Sequence, residues 1–237
     1  GVALEHGGLF FPEGGWVHPP ALCEWQARHP LINVLTHHEA LELQRVDGQW
    51  QALAGDTLLA SATVVVLAGA AEIKRFPFSA ELPLKRIRGQ ITRLAQTPDS
   101  QALATVVCAE GYVAPARLGE HTLGASFDFK SDDLAPTVAE HVGNLEMLRE
   151  ISVDLAHRLG ADALAADQLE GRAAFRCTSP DYLPIVGPLA DHALFDQAYA
   201  ALRKDARQVP EAACPWLDGV YIKDRRASCR ERVFAGC

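Results

Sequence analysis

The chain has 237 residues, of which 49% are hydrophobic and 22% charged, and these proportions are typical of a globular protein with a substantial core. No apolar run approaches the ~20 residues that cross a bilayer, and the start lacks the basic head and apolar stretch of a signal peptide. The net charge of −8 argues mildly against a nucleic-acid partner, and the six cysteines include no CxxC pair. We therefore expect a cytoplasmic protein with reduced thiols, no membrane segment and no metal site.

The first part of the chain predicts short strands separated by strong turn signals. Glycines and prolines between positions 7 and 20 predict a short strand, a tight turn and a helix that begins with a proline. Ile32–Leu35 and Ala40–Arg45 have the composition of short strands. The Asp47–Gly48 pair predicts a hairpin turn, with Trp50–Ala54 as the returning strand.

A change of strand type is predicted near position 82. Before it, Thr63–Leu67 (TVVVL) is a continuous β-branched run, which is typical of a strand buried on both faces of a parallel sheet. The small residues at 68–71 end this strand and allow another group to approach the backbone closely. From Leu82 onward, apolar and polar residues alternate within short segments that are separated by Gly or Pro, which predicts an antiparallel sheet.

The last part of the chain alternates between helix and strand. Ser131–Gly160 keeps helical spacing of its apolar residues, with Pro136 in the first turn and Gly160 as the stop. Ala190–Ala213 predicts a helical insertion, and Leu217–Ile222 predicts a further apolar strand.

Three groups of polar residues carry weaker signals. Adjacent His37 and His38 point to opposite faces of a strand, so they do not easily chelate one ion. Asp132 and Asp133 are better explained as negative charges near a helix N-terminus, where they are favourable, than as a catalytic pair. A basic cluster is explained about equally by a nucleic-acid patch and by a solvated strand edge; its members are Lys85, Arg86, Arg88 and Arg93.

The most informative segment is Ala173–Leu189, which reads AAFRCTSPDYLPIVGPL. It places Arg176 five residues before Asp181, ahead of an apolar run that predicts a buried strand. A guanidinium beside a stiff apolar turn can bind a carboxylate through two parallel charge-assisted hydrogen bonds. Most arginines are solvated, so an exposed residue before an ordinary loop stays the alternative interpretation.

Five pieces of the sequence, in this order, resemble the D-amino-acid-oxidase-like flavoprotein family. They are GGLFFPEGGWVHP, the strand pair around Ala40 with TVVVLAG, LPLKRIRGQIT, GYVAP with LGAS, and FRCTSPDYLPIVG. Glycine oxidases, sarcosine oxidases and a tRNA-modifying oxidoreductase belong to that family. The resemblance covers roughly residues 7–222, and it is greatest to the tRNA-modifying member, which forms the C-terminal part of a bifunctional enzyme.

The resemblance implies an α/β fold in which part of an FAD-binding, Rossmann-like domain is interleaved with a mixed or antiparallel substrate domain. The implied spans are 1–75 for the FAD-domain portion, 76–185 for the substrate domain, 186–222 for the return to the FAD domain, and 223–237 for a tail foreign to the family. FAD is the implied cofactor and tRNA the implied substrate. The implied reaction oxidises the carboxymethylaminomethyl group of a wobble uridine, releases glyoxylate and leaves aminomethyluridine.

The resemblance also assigns residues to the substrate. Arg176 matches the arginine that clamps the substrate carboxylate, and Tyr112 in GYVAP matches a tyrosine whose hydroxyl hydrogen-bonds the same group. Packing against a neighbouring strand explains Tyr112 about equally well. Arg172 is a weaker candidate for a second basic contact, because a surface position explains it more simply.

Further matches concern the cofactor. Ala40 matches a position whose backbone faces adenine, and Ala68 and Gly69 match small residues beside the pyrophosphate and ribose. Gly14 and Gly15 match a turn near the flavin. Ordinary strand ends and tight turns use the same small residues, so these matches alone do not separate the two interpretations.

Two features depart from the family pattern. The chain has no G-x-G-x-x-G element, which holds the FAD diphosphate at a helix N-terminus and lies upstream in the family, so we expect a truncated chain. After Ile222 the family continues into a glycine-rich loop, whereas Lys223–Cys237 is basic and contains two of the cysteines. We interpret that stretch as a frame or assembly artefact, with a disordered tail that touches tRNA as the alternative.

Two other functions fit the same residues. A small-molecule amine oxidase of the glycine or sarcosine type would use the same arginine and tyrosine. A non-catalytic tRNA-binding fragment would show salt-sensitive tRNA binding and no flavin absorbance. The chain has no G-x-S-x-G, P-loop or HExxH pattern, so the sequence does not support a hydrolase or a kinase.

Overall fold

A computed structural model describes residues 2–208 and 214–224. The chain divides into two compact units. The first unit combines the segment up to Ile32 with Arg86–Arg176, and the second combines Asn33–Lys85 with the described residues from Cys177 onward. Most of the predicted foreign tail lies outside the described residues, as does the end of the predicted insertion at 209–213.

Strands and helices alternate along the described chain. The strands are β1 (Glu42–Val46), β2 (Gln49–Ala54), β3 (Thr57–Ala62), β4 (Val65–Leu67), β5 (Lys85–Ala95), β6 (Val107–Cys108), β7 (Tyr112–Val113), β8 (Glu120–Gly124), β9 (Gly171–Thr178), β10 (Ile185–Ala190) and β11 (Trp216–Asp224). The helices are α1 (Pro19–Ala27), α2 (Val138–Ile151), α3 (Val153–Arg158) and α4 (His192–Ala198). Short 3-10 helices lie at Ala70–Arg75, Pro77–Ser79, Ala161–Ala163, Ala166–Gln168 and Ala200–Arg203.

The first unit is built on a five-stranded sheet in the order β6-β7-β8-β5-β9. Strands β5 and β8 pair antiparallel, as do β7 and β8, which confirms the antiparallel sheet predicted after Leu82. Helices α2 and α3 supply the apolar residues that cover one face of the sheet. The resulting core contains Leu94, Leu103, Val113, Leu123, Leu145, Leu148, Ile151, Leu155, Ala156, Leu159 and Ala161.

Helix α2 begins later than the sequence predicted, at Val138. Its N-cap is Thr137, whose hydroxyl oxygen accepts a hydrogen bond from the Glu140 amide at 3.3 Å. Thr-x-x-Glu is the capping-box spacing, so this local signal fixes where the helix starts. Pro136 therefore precedes the cap, and Asp133 lies in a turn where its carboxylate accepts a bond from the Ala135 amide at 2.8 Å.

The N-terminal segment of the first unit is only partly as predicted. Helix α1 does begin with Pro19, but none of its residues is buried and the predicted preceding strand does not form. The first residues are instead fixed to the start of α3. The Ala3 amide donates to the Asp154 carboxylate at 2.9 Å, and the Ser152 hydroxyl donates to the Ala3 carbonyl at 2.7 Å.

The second unit begins with an antiparallel sheet in the order β1-β2-β3. Asp47 and Gly48 have φ angles of 49° and 78°, as a tight hairpin turn of this type requires, so the predicted turn is confirmed. The predicted strand at Ile32–Leu35 is wrong, because these residues are exposed and have no strand conformation.

The other sheet of the second unit has the order β10-β11-β4, and β11 pairs parallel with β4. The predicted parallel pairing of the TVVVL run is therefore confirmed, although the strand covers only Val65–Leu67. Its predicted burial on both faces is wrong, because Val66 is 59% exposed. Only the inner face joins a core, which contains Trp50, Leu67, Ile73, Phe76, Leu82, Leu84, Leu189, Val220 and Ile222.

Candidate active site

Tyr112 lies on the face of the five-stranded sheet that α2 does not cover. In the register of the sheet, Tyr112 is opposite Gly124, which is opposite Ile91 on β5. The next row contains Val113 and Leu123, which are fully buried in the core beneath α2. Neighbouring residues of a strand point to opposite faces, so the row of Tyr112 points away from the helix.

Arg176 lies on β9 and is held by contacts to β5 and to the segment that follows β8. Its Nη1 donates a hydrogen bond to the carbonyl of Ser126 at 3.1 Å. Its guanidinium carbon lies 4.3 Å from the centre of the Phe127 ring, which is a cation–π distance. The same guanidinium lies against the α-carbon of Gly89 on β5. The group is therefore fixed by a carbonyl, an aromatic ring and a glycine.

Arg176 and Tyr112 belong to the same face of the sheet. Gly89 and Ile91 are two residues apart on β5, so they point to one face. Arg176 lies over Gly89, and Tyr112 is in the row of Ile91. Their strands are three steps apart, roughly 14 Å between backbones, and both side chains are long. The structure thus places the two residues that the sequence assigned to the substrate on one face of the same sheet.

A buried ionic network lies beneath the Ser126 carbonyl that holds Arg176. The Ser126 hydroxyl donates to the Glu140 carboxylate at 2.5 Å and accepts a bond from the Gln90 amide at 2.9 Å. Glu140 also pairs with Arg88, whose side chain is only 2% exposed and which donates to the carbonyls of Asp133 and Ala135. Arg88 is therefore an internal cation and cannot contribute to the basic surface patch that the sequence allowed.

The pKa of Glu140 is lowered from its ordinary value of 4.5. Desolvation by burial raises it, but hydrogen bonds from Ser126, Arg88 and Thr137, together with the charge of Arg88, outweigh that effect. The carboxylate is consequently ionised at neutral pH and compensates the buried guanidinium.

A second buried polar group lies on the α2 side of the sheet. His141 is within 2.8 Å of the Thr92 hydroxyl, which accepts a bond from Asn144 at 2.9 Å. Burial lowers the pKa of His141 from 6.5, while the charge of Glu140 opposes that shift. The imidazole is therefore neutral in the folded protein at neutral pH.

The lowered pKa of His141 predicts that the protein loses stability in mild acid. Because its pKa is lower in the folded state, the unfolded chain binds the extra proton as the pH falls through 6.5, and stability is lost below that value. The loss is at most about 1.4 kcal/mol per pH unit for one group. We expect the urea midpoint of the wild type to fall between pH 7.5 and 5.5, and that of His141→Gln to fall less. An equal fall of the urea midpoint with pH in the two proteins would contradict this prediction.

Ala68 and Gly69, predicted to contact the cofactor, follow β4 in the second unit. Both are exposed, and Gly69 precedes the 3-10 helix Ala70–Arg75. Ligands of open α/β sheets bind beyond the carboxyl ends of parallel strands, where small residues let a dinucleotide approach the backbone. These two residues therefore fit an FAD-binding position.

Ala40 lies near the same segment. Arg75, at the end of the 3-10 helix that follows Gly69, pairs with Glu39 at 2.5 Å and donates to the Ala40 carbonyl at 3.4 Å. The second unit thus contains three of the five residues that the sequence assigned to FAD, and the Ala40 carbonyl is hydrogen-bonded to the end of the 3-10 helix that follows Gly69.

The other two, Gly14 and Gly15, are exposed residues of the first unit. They lie in a turn in which the Gly14 amide donates to the Phe11 carbonyl at 3.0 Å. Residues 11–15 line an open hollow of about 480 Å³. Nothing lies within 4 Å of the position that a Cβ of Gly15 would occupy, so packing within the described residues does not require glycine there.

The rest of the motif that contains Arg176 lies in the turn between β9 and β10. The Asp181 carboxylate accepts bonds from the Ser179 hydroxyl at 2.9 Å and from the Leu183 amide at 3.0 Å. Tyr182 between them has a φ of 61°. Ser179 and Asp181 therefore shape a turn, whereas Arg176 is the member of the motif that lies in the candidate site.

Two kinds of feature are absent from residues 2–208 and 214–224. No group of three or more His, Cys, Asp or Glu side chains is placed to hold a metal ion. No helix in these ranges combines the length and the apolar character of a membrane span.

Comparison with known proteins identifies the family. The sequence matches the family described as FAD dependent oxidoreductase over residues 3–202. The chain belongs to this family. FAD is the cofactor of its members, and when bound it supplies a two-electron acceptor for a hydride.

Curated relatives show high identity over almost the whole chain. A protein of Pseudomonas fluorescens named tRNA 5-methylaminomethyl-2-thiouridine biosynthesis bifunctional protein MnmC is 77% identical over 228 residues, which are 96% of this chain and 35% of that protein. A Pseudomonas putida protein of the same name is 71% identical over the same shares of both chains. The chain thus spans about a third of the length of the curated relatives that it matches.

Solved structures of family members share the fold at low sequence identity. Glycine oxidase from Bacillus cereus gives a TM-score of 0.54 at 14% identity, over 80% of this chain and 44% of that one. Glycine oxidase from Geobacillus kaustophilus gives a TM-score of 0.52 at 16% identity, over 78% of this chain and 42% of that one. These comparisons support the α/β flavoprotein fold that the sequence predicted.

Sequence reasoning missed three residues that contact Arg176, and a fourth, Glu140, that is hydrogen-bonded to one of them. Gly89 and Ser126 both lie inside segments whose resemblance to the family was noted, but nothing in their spacing linked them to Arg176. Phe127 has no sequence signal of its own. Glu140 did have one, because the Thr-x-x-Glu capping box predicts that its carboxylate lies at the start of α2.

Proposed function

We propose that this chain is part of an FAD-dependent oxidoreductase that oxidises the carboxymethylaminomethyl group of a tRNA wobble uridine. The observation that carries the proposal is Arg176, which lies on one sheet face with Tyr112 in a chain 77% identical to a protein named for tRNA 5-methylaminomethyl-2-thiouridine biosynthesis. A guanidinium clamp suits a substrate whose reactive amine bears a glycine-like carboxylate.

The residues of the site would act mainly by positioning. Arg176 binds the substrate carboxylate, and the Tyr112 hydroxyl donates a further hydrogen bond to it. The substrate amine must be neutral for its methylene carbon to lose a hydride; FAD, when bound, would accept that hydride, and loss of the amine proton would leave an imine. Water then hydrolyses the imine, which releases glyoxylate and leaves aminomethyluridine.

The two units suggest how the chain divides between cofactor and substrate. We assign the sheet of β4, β10 and β11 to the FAD domain, because its parallel pair ends in the small residues Ala68 and Gly69. We assign the five-stranded sheet to the substrate domain. The spans predicted for these domains, 1–75 with 186–222 and 76–185, remain part of the proposal. So do a cytoplasmic location and a methyltransferase part elsewhere in the gene product.

The proposal is tested on the full gene product that contains this chain, purified with its flavin. We expect tRNA bearing the carboxymethylaminomethyl group to yield glyoxylate and aminomethyluridine, measured by mass spectrometry of nucleosides. Oxidation of free glycine or N-methylglycine, without reaction on tRNA, would instead indicate a small-molecule amine oxidase. Salt-sensitive tRNA binding without flavin would indicate a non-catalytic tRNA-binding protein.

A further inference from the structure

Gly89 occupies the middle of β5, where a glycine has no conformational reason to be. Its φ lies outside the left-handed region that favours glycine, and the residue is buried within an eleven-residue strand. Glycine inside a strand costs stability, because it gains no packing and loses more backbone entropy than other residues do. The requirement at this position is therefore one of space.

The space at Gly89 is filled by the guanidinium of Arg176. A Cβ at Gly89 would lie 2.7 Å from the Arg176 guanidinium carbon and 2.9 Å from its Nη2, and closer still to Nη1. Real Cβ atoms essentially never approach other heavy atoms to less than 3.0 Å, so even the methyl group of alanine displaces the guanidinium.

The displaced group would lose its fixed orientation. In the structure, the Arg176 guanidinium is fixed by the Ser126 carbonyl at 3.1 Å and by the Phe127 ring at 4.3 Å. A guanidinium binds a carboxylate bidentately only when its plane is correctly oriented, and shifts of about 1 Å at a positioning group have large effects on rate. Moving the guanidinium off Gly89 changes both the orientation of its plane and its position.

We infer that Gly89 is a positioning residue for carboxylate recognition: its missing side chain forms a slot, completed by Ser126 and Phe127, that holds Arg176 ready to bind the substrate acid. The inference rests on the proposed function in that Arg176 is the carboxylate ligand. It goes further in assigning a role to Gly89, which acts through Arg176.

The test compares Gly89→Ala with Gly143→Ala in the full, flavin-loaded gene product. Gly143 lies on the exposed side of α2, with nothing within 4 Å of a Cβ, so the same added methyl group contacts nothing there. The probe is N-acetylglycine, which has a carboxylate next to a methylene and a nitrogen, and its neutral control is N-acetylglycinamide. We expect Gly89→Ala to weaken binding of the acid about tenfold or more, measured by calorimetry, with little change for the amide. Gly143→Ala should bind both probes as the wild type does.

A double-variant comparison separates positioning from damage to the fold. If Gly89 acts only through Arg176, adding Gly89→Ala to an Arg176→Met protein has no further effect on acid binding. A further loss of the same size would overturn the inference, as would unchanged acid binding by Gly89→Ala. Crystal structures of the wild type and Gly89→Ala supply a readout without any ligand: the inference requires the Arg176 guanidinium to have moved off β5.

The outcomes also separate this inference from the proposed function. If the wild type binds N-acetylglycine in a way that depends on Gly89 but releases no glyoxylate from tRNA, the slot is correct and the proposed substrate is wrong. Turnover of tRNA that is unaffected by Gly89→Ala would leave the function correct and the slot wrong.

Discussion

We expect Arg176→Met to lower kcat/KM for the carboxylate-bearing amine by about 100-fold or more, because each charge-assisted hydrogen bond contributes about 1.5–3 kcal/mol and the guanidinium can form two. Methionine keeps much of the length and apolar character of the side chain but cannot donate a hydrogen bond. The substitution also removes the hydrogen bond to the Ser126 carbonyl and the cation–π contact with Phe127. Steady-state glyoxylate release from modified tRNA measures the effect.

Arg172→Met is the matched control for this substitution. Arg172 is the same residue type on the same strand, is exposed, and lies four residues before Arg176. We expect its loss to change kcat/KM by only a few-fold, and both variants to retain the flavin absorbance of the wild type. If the two variants lost activity equally, a general effect of positive charge would explain the result and the clamp would be wrongly assigned.

The largest effect on stability is expected from Glu140→Ala, at about 3–5 kcal/mol in the free energy of unfolding. The substitution leaves Arg88 buried without its carboxylate, and the low dielectric of the interior makes an uncompensated charge costly. It also removes the Ser126 hydrogen bond that joins the start of α2 to the segment after β8, and the Thr137 hydrogen bond within the N-cap of α2. Urea denaturation followed by two spectroscopic probes measures the change.

Glu170→Ala provides the comparison on an exposed ion pair of the same sheet. Glu170 pairs with Arg93 on β5, and their side chains are 74% and 42% exposed, so its loss should cost less than about 1 kcal/mol. Replacing both Arg88 and Glu140 by methionine should cost less than removing Glu140 alone, because no buried charge is then left without a partner. A Glu140→Ala protein as stable as Glu170→Ala would show that the buried pair is not important for the fold.

The sequence identified the substrate residues but not what holds them. Arg176 was predicted from the chemistry of its motif and from its family position, and Tyr112 from the GYVAP segment. Strand alternation on β5 and β7 then accounts for their sharing one face. The slot at Gly89 depends on contacts between residues far apart in the chain, which spacing along the sequence does not reveal.

The errors in the predicted elements have a common cause. Ile32–Leu35 is apolar and β-prone but forms no strand, and Val66 lies in a strand whose outer face is exposed. Composition shows that a segment can form a buried strand, whereas the presence of a partner strand or a covering layer is set by the rest of the fold. The basic cluster shows the same limitation, because nothing local indicates that Arg88 alone would be internal.

By itself, the sequence determined the features that depend on a few neighbouring residues. The Asp47–Gly48 hairpin, the stop at Gly160 with a φ of 67°, and the α/β flavoprotein class follow from local backbone preferences and from motifs in a fixed order. Tertiary structure alone decided that Arg88 and Glu140 form an internal pair and that the Arg176 guanidinium lies against Gly89. The reason is physical: burial and close contact are properties of segments brought together from distant positions, and their energies appear only once the sheet and its helices have packed.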